Sequence, residues 1–180
     1  MKIVSTNIGR KQTLVYKGKE FHTGIIKKPV NDGIDLDFED VDGDQVIDRK
    51  HHGGVDQAVY AFGLDQYPHY REMFPDLDWH HGMFGENLTV DQMDESQLFQ
   101  GNQYQLGEAI VEVTIPRQPC STLGARFGDM KVVKEFWNST HPGSYFKIIQ
   151  RGRVRPGDEF VLIKTCAQNP SIAAQFEAKK

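Results

Sequence analysis

Cysteine is scarce in this sequence: Cys120 and Cys166 are the two among 180 residues. Two cysteines cannot build a disulfide framework. One bridge between them stays open, but the count suits a reducing, cytoplasmic setting. No apolar run approaches the roughly 18 residues that a membrane helix needs. The opening Met1-Lys2-Ile3-Val4-Ser5-Thr6-Asn7 has no apolar stretch of the signal-peptide kind. A basic excess is also missing. Lys plus Arg is 21 against 25 for Asp plus Glu, for a net charge of −4 and a pI near 6.0. Such a balance disfavours a general nucleic-acid binder, so neither nucleic acid nor membrane is an expected partner. His-Glu-x-x-His, Cys-x-x-Cys, Gly-x-Ser-x-Gly, the P-loop and Gly-x-Gly-x-x-Gly are all absent. Their absence argues against a structural zinc site, a nucleophile elbow and the common nucleotide cradles.

What is present is a core-forming composition rich in turns. Hydrophobic residues make up 38% and aromatics 11%, enough to exclude a disordered chain. The 17 glycines and 8 prolines point to many short elements. Strand-like runs are expected at residues 3–8, 14–16, 23–26, 58–62, 87–90, 104–106, 110–115, 145–149 and 160–163. Pro29 is expected to end one run, and the acidic stretch Asp35 to Asp44 reads as a solvated hairpin or loop. Asp65 can cap a short helix reaching Phe74, with Pro68 in its first turn. Asp129 is an N-cap candidate for an amphipathic helix to Asn138, with Met130, Val133, Phe136 and Trp137 on one face. No repeat is visible. The short strands lack regular alternation with helices, which favours a mainly β fold, a β-barrel with a few short helices, over a doubly wound sheet. The barrel is expected over residues 1–164 and a short tail, helical or frayed, over 165–180.

Three segments carry chemistry. Asp48-Arg49-Lys50-His51-His52-Gly53-Gly54 sets cations and imidazoles before two glycines, which suits an anion cradle or, equally, a tight turn among solvated charges. Gly82-Met83-Phe84-Gly85-Glu86-Asn87-Leu88-Thr89 offers Asn87 to read a heterocycle edge, or a turn in which Asn caps its own backbone. Ile115-Pro116-Arg117-Gln118-Pro119-Cys120 presents a cysteine after two stiffening prolines. Arg117 nearby favours the thiolate, although a cysteine is also often a small core residue. A cysteine hydrolase using Cys120 and His52 is a weaker alternative, since nothing marks an orienting acid or oxyanion hole.

In this order the segments resemble the MOSC domain, closest to its small stand-alone bacterial branch. The resemblance is carried by Thr23-Gly24-Ile25-Ile26-Lys27-Lys28-Pro29-Val30, Gly43-Asp44-Gln45, the Asp48-to-Gly54 segment, Asp56-Gln57-Ala58-Val59-Tyr60, Phe84 to Thr89, Pro116 to Cys120, Gly143-Ser144-Tyr145 and Gly157-Asp158. It implies a barrel of the MOSC, or pyruvate-kinase-barrel-like, kind that binds a molybdenum cofactor of molybdopterin type. Pyridoxal phosphate is a secondary, phosphate-bearing alternative. The resemblance further implies that Cys120 ligates molybdenum, a soft thiolate suiting that metal, and that Lys27, Arg49, Asn87 and Arg117 bind the cofactor. His52 is the candidate for proton supply, because an imidazole titrates near pH 6.5. Glu86 and Asp56 are expected to be supporting or structural. The reaction implied is reduction of N-hydroxylated small molecules with electrons from a separate redox protein. The rival reading is a non-catalytic carrier or insertion module for the cofactor or for activated sulfur. Longer members of the branch continue into a small helical domain, whereas about 16 residues follow Lys164 here.

Overall fold

The computed structural model describes residues 1–45 and 53–180. In chain order the strands are β1 (Ile3–Gly9), β2 (Gln12–Tyr16), β3 (Lys19–Thr23), β4 (Lys27–Val30), β5 (Ile34–Leu36) and β6 (Val59–Gly63), followed by helix α1 (Tyr67–Met73). Then come β7 (Leu88–Val90), β8 (Gln103–Leu106), β9 (Ala109–Pro116), α2 (Ser121–Phe127), α3 (Lys131–Asn138), β10 (Ser144–Gln150), β11 (Gly152–Val154), β12 (Val161–Lys164) and α4 (Ile172–Glu177). Eight strands form one sheet in the order β12-β8-β9-β10-β6-β7-β1-β4. All its pairs are antiparallel except β6–β7. β12 and β4 are its edges, so the barrel-like sheet does not close into a full hydrogen-bonded ring among the described residues. The fold is mainly β with a few short helices, as the composition suggests.

Strand β6 organises the interior. All five of its residues are buried, which suits a central strand covered on both faces. Alternation sends Val59 and Ala61 into one apolar cluster with Ile3, Leu88, Val111 and Phe146. Tyr60 and Phe62 face a second cluster, built on α1, α2 and α3 with Phe84 and Phe136. Phe62 packs with ring centroids 4.4 Å from Phe84 and 5.9 Å from Phe136.

Several local expectations shift. Pro29 does not end a strand but lies within β4, paired with Asn7. It is tolerated there because β4 is a sheet edge, where a missing N–H costs no ladder bond. Of the run at 23–26, Thr23 ends β3 and residues 24–26 form a crossing rather than a strand. The preceding hairpin instead extends over β2 and β3, closed at Lys17-Gly18, whose φ values of 50° and 76° suit a type I′ turn. Asp129 accepts from the Lys131 N–H at 2.9 Å, so it serves the start of α3 from one position before Met130, the N-cap. Val132 and Phe136 are the fully buried residues of that helix. Within the acidic stretch Leu36 and Val41 are core residues bridged to each other, and the Asp44 side chain is buried.

Residues after Lys164 are packed into the same body. The Cys166 N–H donates to Asn102 Oδ1 at 2.7 Å. Ser171 caps α4 by accepting from the Ala174 N–H. Ile172 enters the first cluster and Phe176 the second, stacked on Trp137 at 5.1 Å. Phe176→Ala is expected to cost about 3–5 kcal/mol of stability, read from the urea midpoint. Cys166→Ser should cost far less, since the backbone N–H makes the inward bond. A Phe176→Ala loss below about 1 kcal/mol would mean that α4 contributes little to the core.

Candidate functional site

Three backbones cross closely at the end of β1. A Cβ on Gly24 would lie 1.9 Å from the Gln45 carbonyl oxygen, and one on Gly9 would lie 2.2 Å from that of Gly24. Only glycine permits these approaches. The Gln45 N–H donates to the Gly9 carbonyl at 2.9 Å, and Gln45 Oε1 accepts from the Lys11 N–H at 2.7 Å. The crossing fixes Asp44 against β1, where its Oδ1 accepts from the Gly9 N–H at 2.7 Å.

The other Asp44 oxygen takes two donors. The Lys27 ammonium pairs with Oδ2, both side chains being nearly fully buried. The Asn87 amide donates to the same atom at 2.9 Å and to the Asn7 carbonyl at 3.3 Å. Asn87 Oδ1 accepts from the Tyr60 N–H at 3.4 Å. Burial pulls the Lys27 ammonium below the usual lysine range, although Asp44 works in the opposite direction. Lys27 is thus a cation already answered by a carboxylate.

Glu86 shapes the next wall. It is fully buried and accepts from the Tyr67 hydroxyl, the Gly82 N–H at 2.8 Å, the Phe84 N–H at 3.0 Å and the Thr89 hydroxyl at 2.8 Å. That set satisfies a buried carboxylate and sets the Phe84 carbonyl, which accepts from Arg117. Arg117 is 5% exposed, and its guanidinium lies 5.1 Å over the Tyr60 ring and 5.8 Å from the Phe136 ring centroid. Burial opposes its charge, but facing Tyr60, Tyr145 and Cys120 outweigh this and raise its pKa. Burial likewise pushes the Tyr60 and Tyr145 hydroxyls up while Arg117 pulls them down. The Tyr60 hydroxyl is anchored on the Pro142 carbonyl at 2.9 Å. Among the described residues no carboxylate pairs with Arg117.

These walls enclose a cleft of about 160 Å³ lined by Lys27, Asp44, Tyr60, Asn87, Arg117, Cys120 and Tyr145, with Gly24, Gly85 and Thr122. Cys120 is the N-cap residue of α2 and is partly buried. Four residues singled out in the sequence therefore meet in one place: Lys27, Asn87, Arg117 and Cys120. Arg49 and His52 lie outside the described residues, although Gln45 and Gly53 on either side of that segment both line the cleft. Asp56 stands in a 3-10 turn, where its carbonyl accepts from the Thr114 hydroxyl at 2.6 Å. Sequence reasoning missed Asp44, Tyr60 and Tyr145 as site residues. All three stand inside the segments that carry the family resemblance, and that was the available signal.

The MOSC domain model matches residues 48–161, more than half of the chain. The chain belongs to the MOSC domain family. The protein YflK of Bacillus subtilis (strain 168) is 38% identical over 170 residues, covering 94% of this chain and 76% of YflK. A Gibberella moniliformis (strain M3125 / FGSC 7600) protein named Reductase is 32% identical over 116 residues, covering 63% of this chain and 21% of that protein. The crystal structure of YiiM from Geobacillus stearothermophilus superposes with a TM-score of 0.80 at 27% identity, over 99% of this chain and 83% of that one.

The MOSC cleft suits an anionic, metal-bearing ligand on its own chemistry. A buried guanidinium with no carboxylate partner among the described residues calls for an anion, and a cysteine in the same cleft offers one soft ligand. The Lys27–Asp44 pair gives the site a direct test. Asp44→Ala should destabilise by about 3–5 kcal/mol by stranding a buried ammonium. Lys27→Met added to it should restore part of that loss. Strictly additive costs in chemical denaturation would show the two side chains to be energetically independent.

Proposed function

We propose that the cleft binds a molybdenum cofactor of molybdopterin type and that the protein reduces N-hydroxylated small molecules with electrons from a separate redox protein. The observation that carries this reading is the meeting of Cys120 with the buried charge of Arg117, which no carboxylate among the described residues answers, inside a MOSC domain. The name of the Gibberella relative, Reductase, supports the reaction class. The reaction balances: an N-hydroxyl group, two electrons and two protons give the corresponding N–H group and water. When bound, the molybdenum centre supplies the two-electron exchange at the N–O bond.

The chain's own groups do the rest. Cys120 offers a single thiolate to the metal. Arg117, backed by the Tyr60 ring and the Phe84 carbonyl, holds an anionic part of the cofactor. The Asn87 amide nitrogen is engaged by Asn7 and Asp44, so Oδ1, which takes only the long bond from the Tyr60 N–H, is the atom left to accept from a pterin N–H. Lys27, held by Asp44, contributes a pinned wall more than an open cation. The Tyr145 hydroxyl, raised by burial, keeps its proton at neutral pH and can donate a hydrogen bond to an oxygen in the cleft. Arg49 as a second anion-binding cation and His52 as the proton source complete the reading on sequence grounds.

The protein purified from cells that make the cofactor should carry molybdenum and pterin, and should reduce an N-hydroxylated substrate with a chemical reductant. Metal without turnover would move the reading to a carrier or insertion module, and neither metal nor pterin would overturn both. Cys120→Ser, nearly isosteric, should keep its melting temperature within a few degrees and lose turnover at least ~100-fold, with pterin partly retained. Arg49→Glu should lower cofactor retention about ten- to hundredfold. Wild-type turnover in Cys120→Ser would remove thiolate ligation from the mechanism.

A further inference from the structure

The β2–β3 ribbon stands apart from the main sheet. Among the described residues it forms a two-stranded sheet of its own, not bonded into the main one. Its side of the molecule carries Arg10, Lys11, Lys17 and Lys19, all exposed, with Glu20 the lone carboxylate from residue 10 to 22. That is a positive prominence on a chain of net charge −4. Its apolar residues are also out of place. Val15 is 68% exposed, and Leu14, Tyr16 and Phe21 are half-buried. Among the described residues these four join neither apolar cluster. Lys17 lies 5.3 Å over the Tyr16 ring, and Lys19 lies 5.2 Å over the Phe21 ring. A β-ribbon outside both apolar clusters, with an exposed valine and cations around its turn, has the composition of a contact surface.

Its position ties it to the cleft. His22 and Thr23, at the end of β3, line the cleft together with Cys120. The ribbon rests on α2, the helix that starts directly after Cys120. We infer that the β2–β3 ribbon is the docking surface for an acidic electron-donor protein, which it brings against the mouth of the Cys120 cleft. The argument for this occupant is charge. Residues 10–22 hold four cations against one carboxylate, a net of +3, so the rest of the chain sums to −4 − 3 = −7. An acidic partner is repelled by that remainder and attracted by the ribbon, so encounters are steered ribbon-first. The exposed Val15, on the face opposite Tyr16 and Phe21, then supplies a short-range apolar contact. The electron-donor role rests on the reductase reading above; the docking itself does not.

The test uses the cofactor-loaded protein, a reduced 2Fe–2S ferredoxin as the acidic donor, and reduced methyl viologen as a chemical donor that needs no docking. Two ferredoxins deliver the two electrons singly. The variant is Lys17→Glu with Lys19→Glu, both far out on the ribbon. Ferredoxin binding to the wild type, read by interferometry, should weaken steeply between low salt and ~0.3 M salt. At low salt the variant should bind, and accept electrons from ferredoxin, about tenfold less well. Its viologen-driven turnover should equal the wild-type value, which also certifies the fold. Unchanged ferredoxin binding and turnover in the variant would overturn the proposal. So would a short single-stranded oligonucleotide that binds the ribbon more tightly than ferredoxin, or a dimer in sedimentation that the variant dissociates. If the wild type shows no viologen-driven turnover, the reductase reading falls. The ribbon is then judged by the binding arm alone, where salt-independent or absent binding overturns it.

Discussion

A buried carboxylate has to be answered on every side, and Asp44 is answered from three separate stretches of chain. Gly9 at the end of β1, Lys27 at the start of β4 and Asn87 at the start of β7 all donate to it. These three elements are neighbours in the sheet, and Asp44 ties them where their ends converge. The tie is electrostatic in part, since Lys27 would otherwise be an ammonium in an apolar wall. It is geometric in part, since Gly9 and Gly24 let the Gln45 backbone approach closely enough for Asp44 to reach. The position of Asn87, and through it the Tyr60 backbone, follows from that knot.

Next to that knot, Glu86 plays the matching part with neutral donors. Its four bonds hold the turn from Gly82 to Phe84, so that the Phe84 carbonyl meets Arg117. The two acids thus divide the electrostatic labour. Asp44 cancels a cation and leaves its wall close to neutral. Glu86 directs its charge at hydroxyl and amide donors, and Arg117 keeps a charge for the cleft. Ring faces from Tyr60 and Phe136 support that charge without neutralising it.

Much of the scaffold was legible because it is local. Short β-rich runs marked the strands from Leu88 to Ile149, and Asp65 with Pro68 marked the region where α1 starts. The mainly β class followed from short runs and frequent turns. Cys120 stood out because two prolines precede it and Arg117 because it lies between them, and their meeting with Lys27 and Asn87 was carried by the ordered motifs rather than by any one of them. Asp44 was hidden for a physical reason: in a run of acids it looks solvated, and only the crossing at Gly9 and Gly24 shows it to be buried. Helix α2 was missed because it is short and opens on two polar residues, Ser121 and Thr122, directly after the proline-stiffened Cys120 segment. Pro29 misled because a proline that breaks an interior strand is harmless at an edge. The tail was ambiguous because Ile172 and Phe176 are only two anchors, and their partners lie far away in sequence.

Strand β6 has its two faces in different apolar clusters, so neither cluster owns it. Loss of the helical side would expose Tyr60 and Phe62, and loss of the barrel side would expose Val59 and Ala61, each to water along the full strand. Neither side can open while the other keeps β6 in its native setting. The helices and the sheet are therefore one cooperative unit, in which a local opening at the cleft is coupled to the deepest packing of the molecule.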